Sequence, residues 1–88
     1  MDVLFSRHAQ DQMSRRRINE ETILKMMFQP DQIITDSEDP SILVYQSLID
    51  EGNQIFLLRV FVNRDKQPNV IVTVYKTTKI SKYYESKI

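Results

Sequence analysis

The stretch QIFLLRVFVNRDKQPNVIVTVYK, residues 54–76, reads as two long strands joined by a polar hairpin loop. Its halves, QIFLLRVFV (54–62) and NVIVTVYK (69–76), are dense in β-branched and aromatic residues, which suit a pleated, half-buried surface. Phe56, Leu58, Val60 and Val62 alternate along the first half, and Val70, Val72 and Val74 along the second. Because successive strand side chains point to opposite faces, both apolar sets are expected to meet the same covering layer. Arg59, Thr73 and Tyr75 then share the other face, and pairing Val60 with Val72 sets Arg59 opposite Thr73. Leu57, Phe61 and Ile71 fall on that second face as well. An arginine in mid-strand among apolar neighbours requires a partner or a ligand.

Upstream, QIIT (32–35) and SILVYQSLI (41–49) extend the sheet, separated by the turn Asp36-Ser37-Glu38-Asp39-Pro40. DEGN (50–53) closes the second of them, with Gly52 as the permissive residue. The first third of the chain has the period of helices. Ser6 is a good N-cap, and Phe5, Ala9 and Met13 form a narrow apolar stripe. Asn19 caps a second helix with Glu20 and Glu21 in its first turn and Ile23, Met26 and Met27 inward, ending near Gln29 ahead of Pro30. The tail TTKISKYYESKI (77–88) reads as a last short strand or a docked irregular end. The order ααββββ predicts an α+β fold, with two N-terminal helices packed on one face of a four-stranded antiparallel sheet, in a single domain over 1–88.

Composition narrows the function. The 88 residues carry 12 bases and 12 acids, for a formal charge of zero, which argues against a general electrostatic nucleic-acid binder. The charge is nevertheless segregated. Residues 31–53 hold six acids and no Lys or Arg, whereas seven bases follow in 54–88. The chain has no cysteine, no apolar run of membrane-spanning length and no signal-peptide pattern, so a cytoplasmic protein without a membrane partner is expected. A single histidine and the lack of cysteine leave no metal-ligand spacing, and one glycine leaves no phosphate loop; no metal or cofactor is expected.

The chemistry-bearing residues that remain are His, Arg, Tyr and Thr. SRHAQDQMSRRRI, residues 6–18, holds the one histidine, His8, and three consecutive arginines. On a helix, His8, Gln12, Arg15 and Arg16 share one flank of the apolar stripe. The imidazole can exchange a proton near neutrality, and arginine stabilises charge that develops on a phosphoryl group. Cleavage of a phosphodiester through RNA's own 2′-hydroxyl needs this inventory and no metal. His8, Arg16, Arg59, Thr73 and Tyr75 are the candidate catalytic residues, with Gln12, Arg15 and Lys76 as substrate contacts.

The ordered pieces Ser6-Arg7-His8-Ala9, Arg16-Arg17-Ile18, Gln29-Pro30-Asp31 and Val72-Thr73-Val74-Tyr75 resemble a family of small bacterial domains of unknown function. The layout is also similar to the RelE/ParE-like toxins of the barnase–EndoU–colicin–RelE group. Two residues depart from the family pattern: Gln12 stands where arginine is frequent, and Arg17 where glycine often precedes the isoleucine. The resemblance implies a metal-independent ribonuclease of toxin–antitoxin type, with RNA or the ribosome as target and a cognate antitoxin-like protein as partner. The alternative is a non-catalytic binding module, or a ParE-like inhibitor, that blocks a protein partner or the ribosome by surface contact. A regulatory domain whose acidic 31–53 segment docks a basic partner is a third reading.

Overall fold

A computed structural model describes residues 2–85. The elements run β1 (Val3–Phe5), α1 (Arg7–Arg16), α2 (Glu20–Phe28), β2 (Gln32–Thr35), β3 (Ile42–Glu51), β4 (Gln54–Asn63), β5 (Asn69–Thr77) and α3 (Ile80–Tyr83). They build one five-stranded sheet in the order β1-β5-β4-β3-β2. Pairing is antiparallel throughout except between β1 and β5, which run parallel.

The sheet is therefore mixed and five-stranded, not antiparallel and four-stranded, and three short helices accompany it rather than two. The strand missing from the sequence reading is β1. Three residues are too few to show alternation, and the partner of Val3 is Asn69, far along the chain. The added helix is α3, a single turn in the tail that reads as strand or irregular end; residues 86–88 of that tail lie outside the described part.

Both long helices start where their caps predict. Ser6 Oγ accepts from the Ala9 N–H at 3.0 Å, and Asn19 Oδ1 accepts from the Thr22 N–H at 2.8 Å. Helix α1 ends on Arg17 in the left-handed region, φ 55° and ψ 46°, with its N–H turned back to the carbonyls of Met13 and Ser14. That conformation explains why glycine suits this position, and Arg17 adopts it despite its side chain. Ala9, Ile18, Ile23, Met26 and Met27 pack against Leu58, Val60, Val62, Ile71 and Val74 to form the core, with Phe5 and Met13 at its margin.

The strand register departs from the expected one at a bulge. Val60 pairs with Val74, not Val72, and Arg59 lies opposite Tyr75, not Thr73. Phe61 pairs with Thr73 and Val62 with Ile71, so Val72 is the extra residue. A bulge inserts one unpaired residue and reverses the alternation beyond it. Ile71, expected on the Arg59 face, is consequently buried in the helix-side core, and Val70 and Val72 are not part of that core. Strict alternation predicts no such break.

The sheet edge beside α1 is closed by side chains. Strand β1 covers only the first residues of β5. Beyond it the Ser6 N–H donates to the Ile71 carbonyl, Ser6 Oγ donates to the Val72 carbonyl, and Gln12 Oε1 accepts from the Val74 N–H at 2.9 Å. Gln10 similarly donates to the Phe5 carbonyl at the end of β1. Backbone groups that no strand pairs are thus satisfied locally.

Candidate functional site

The face of the sheet opposite α1 and α2 carries a polar row that crosses four strands. Gln32 pairs in register with Gln46, Gln46 with Arg59, and Arg59 with Tyr75. The side chains are hydrogen-bonded in the same order. Gln46 Nε2 donates to Gln32 Oε1 at 2.7 Å, Arg59 Nε to Gln46 Oε1 at 2.9 Å, and Arg59 Nη1 to the Tyr75 hydroxyl at 2.7 Å. Gln46 is fully buried and Arg59 only 7% exposed.

The C-terminal segment lies across this row. Gln46 Nε2 also donates to the Tyr83 carbonyl, Gln32 Oε1 accepts from the Glu85 N–H, and Gln32 Nε2 donates to the Glu85 carbonyl. The Tyr83 ring sits over the guanidinium, 4.3 Å from Cζ to its centre; Phe61 and Tyr75 follow at 5.1 and 5.7 Å. Three aromatic rings therefore surround one cation, a favourable arrangement in a desolvated place.

No carboxylate pairs with Arg59 among the described residues, where the ion pairs are Lys25–Glu21 and Lys76–Glu51. Burying a cation without a counter-charge costs several kcal/mol, roughly, before hydrogen bonds and rings offset it. The guanidinium borders a cavity of about 330 Å³ that Thr35, Ser37, Lys82 and Tyr83 also line, together with Asp36 and Glu85. The Lys82 ammonium, which favours the phenolate by hydrogen bonding, holds the Tyr83 hydroxyl below its ordinary 10.0; the same cation's field, a hydrogen bond from Tyr75 and the Arg59 charge add to this, against the opposing effect of burial. The arrangement can bind an oxyanion and offers tyrosine hydroxyls beside it.

The other sequence-derived candidates are distributed around this row. Tyr75 belongs to it, and Thr73 lies two residues along on the same face, opposite Phe61. Lys76 projects to the helix side, where its ammonium pairs with Glu51 at 2.7 Å and lies over Phe56. Gln12 is committed to the β5 edge. His8, Arg15 and Arg16 are exposed on α1. At 100° per residue, Ala9 and Met13 turn about 60° and 100° from Gln12 toward the core, while His8 and Arg15 turn about 40° and 60° the other way. With Gln12 fixed on the strand edge, His8 and Arg15 occupy the flank nearer the Thr73–Tyr75 face, and Arg16 the core side. Strand β5 stands between α1 and β4, and His8 makes no hydrogen bond to Arg59 or Tyr75.

Sequence reasoning missed Gln32, Gln46 and Tyr83. The one available signal was Gln46, a polar residue inside the apolar run ILVYQSLI; nothing marked Tyr83 as the ring over Arg59. Among the described residues no group of His, Asp and Glu is arranged to hold a metal ion, and no helix is long and apolar enough to cross a membrane.

The fold and the row define a small α+β domain with a mixed sheet and a buried arginine, paired with no carboxylate among the described residues, on the face that the C-terminal segment covers. The chain belongs to the family described as "Domain of unknown function (DUF4258)", which it matches over residues 5–76. That match includes α1 and the Arg59–Tyr75 pair and ends before α3. Comparison with curated proteins and with solved structures returned no match.

Proposed function

We propose that the chain is a metal-independent ribonuclease of toxin–antitoxin type, acting on an RNA phosphodiester brought to the Arg59 face of the sheet. The observation that carries this reading is the buried guanidinium that two neutral groups and three rings hold, with no carboxylate paired to it among the described residues. A charge kept in that state is poised for an anion, and a preorganised cation in a poorly solvated place stabilises developing negative charge strongly. The likeness of the chain's layout to RelE/ParE-like toxins points to the same class by fold analogy.

In this mechanism His8 takes the proton of the 2′-hydroxyl as that oxygen bonds to phosphorus. Arg59 stabilises the added charge on the phosphoryl oxygens, with Thr73 positioning the backbone and Arg15 holding the adjacent strand. The bond from phosphorus to the 5′-oxygen breaks, and that oxygen takes its proton from the Tyr75 hydroxyl. Tyr75 accepts from Arg59, and its own O–H, which faces the Tyr83 hydroxyl, is the proton it gives to the leaving oxygen. The products are a 2′,3′-cyclic phosphate and a free 5′-hydroxyl.

The test incubates the protein with an oligoribonucleotide in a chelator, and in parallel with a translating bacterial extract. Cleavage should leave a cyclic phosphate and fail on the all-2′-deoxy strand. His8→Ala and Arg59→Lys should each slow it by about 10²–10⁴-fold, with folding verified by circular dichroism. Halted translation with every message intact would replace this reading by the non-catalytic binding module. Intact RNA with translation unaffected would refute both.

A further inference from the structure

The two edges of the sheet are treated differently. The β5 edge is closed by Ser6 and Gln12, but among the described residues no strand pairs the outer side of β2. The hairpin hydrogen bond from the Asp36 N–H to the Ile42 carbonyl fixes which backbone groups of β2 turn inward. Opposed residues alternate between bonded and non-bonded pairs, so Asp36, Ile34 and Gln32 bond to β3. Ile33 and Thr35 therefore direct their N–H and C=O groups outward. A groove of about 320 Å³ runs along this edge, lined by Gln32, Ile33, Ile34, Thr35 and Glu85. Ile33 is 49% exposed beside it.

Apart from its shortness, four residues, β2 lacks the usual guards against strand addition. It contains no proline, no lysine and no bulge. The charge around it is acidic: Asp31 precedes the strand, Asp36, Glu38 and Asp39 follow it, Glu85 lines the groove, and residues 31–53 contain no base. Lys82 lines the neighbouring cavity. A second copy fits poorly, because pairing two β2 edges would bring two acidic rims, Asp31 and Asp36 to Asp39 of each copy, alongside one another with no base between them. Like charges opposed across strands are unfavourable.

We propose that the outer edge of β2 is a docking site for an extended, basic segment of a partner protein, which adds a sixth strand to the sheet. Main-chain bonds to Ile33 and Thr35 supply the pairing, an apolar residue covers Ile33, and Lys or Arg residues flanking the added strand meet the acidic rim. This surface lies at the opposite edge from α1 and does not depend on the ribonuclease reading.

Two ten-residue peptides with the same alternating Val/Thr centre, one flanked by lysines and one by glutamates, are the probes, with binding read by fluorescence anisotropy. The lysine peptide should bind, weaken with salt, and lose at least about tenfold in affinity when its backbone is N-methylated at alternate residues. Ile33→Pro removes an outward N–H that no described residue accepts from, at an edge position where proline is tolerated, and should abolish binding with thermal unfolding little changed. Asp36→Asn with Glu38→Gln should weaken the lysine peptide several-fold while leaving the backbone intact. Equal binding of the glutamate peptide, binding unaffected by either variant, or no binding of either peptide would overturn the proposal. So would a dimer in sedimentation that Ile33→Pro dissolves, which would make a second copy the occupant.

Discussion

Replacing Gln46 by methionine removes the centre of the polar row while nearly preserving volume. The side chain is fully buried and makes three hydrogen bonds: it accepts from Arg59 Nε and donates to Gln32 Oε1 and the Tyr83 carbonyl. A hydrogen bond to a charged group contributes about 1.5–3 kcal/mol and each neutral one about 0.5–1.5. The apolar tip of methionine recovers about 1 kcal/mol through burial. The expected net loss is about 3 kcal/mol, a large share of the roughly 5–15 kcal/mol that holds a domain folded. With a urea slope of about 1 kcal/mol per molar, the midpoint should fall by roughly 2–3 M. Amide exchange should report the same event locally, since the Glu85 N–H bonds to a Gln32 side chain that Gln46 no longer steadies. A loss below about 1 kcal/mol with unchanged exchange at Glu85 would refute the idea that Gln46 organises Arg59 and the C-terminal segment.

Two further outcomes follow from local geometry. Arg17→Gly should raise the thermal midpoint by about 2–8 °C: relief of a left-handed conformation contributes about 1–2 kcal/mol, and glycine's greater chain freedom takes back about half; no gain in calorimetry would mean the turn is unstrained. The phenolate absorbance of Tyr83 should titrate below 10.0 and move back up in Lys82→Met. Because the folded state favours the phenolate, this group's contribution rises with pH between its lowered folded value and the unfolded value, and is lost as pH falls through the former. Titration of Tyr83 at or above 10.0 would contradict the Lys82 contact.

The legible parts of the fold are those encoded by short-range chemistry. Ser6 and Asn19 cap where expected because a cap needs only its own first turn, and β4 and β5 carry enough alternating residues to be recognised. Strand β1 escapes because its reason for being a strand lies in Asn69–Ile71 rather than in Val-Leu-Phe. The bulge at Val72 escapes because Val70, Val72 and Val74 keep an unbroken alternation that gives no local sign of an extra residue; Ile71 and Val72 are equally good strand formers. For the site, Arg59 and Tyr75 are legible together because an arginine in mid-strand is conspicuous, although alternation alone sets Thr73, not Tyr75, opposite Arg59. Gln46 and Tyr83 complete the arginine's surroundings from β3 and the tail, and only tertiary placement reveals them.

The parallel pairing of β1 with β5 has a consequence for the newborn chain. Val3 meets Asn69, and the Ser6 hydroxyl that caps α1 also closes onto Val72. At about 5–20 residues per second, the first strand waits roughly 3–13 seconds for its partner to be synthesised. During that interval β2, β3 and β4 can assemble as local hairpins, whereas the amino terminus has only its own helices to join. Strand β1 is thus completed only once β5 is made, and truncation anywhere before β5 leaves β1 as well as the truncated end unpaired.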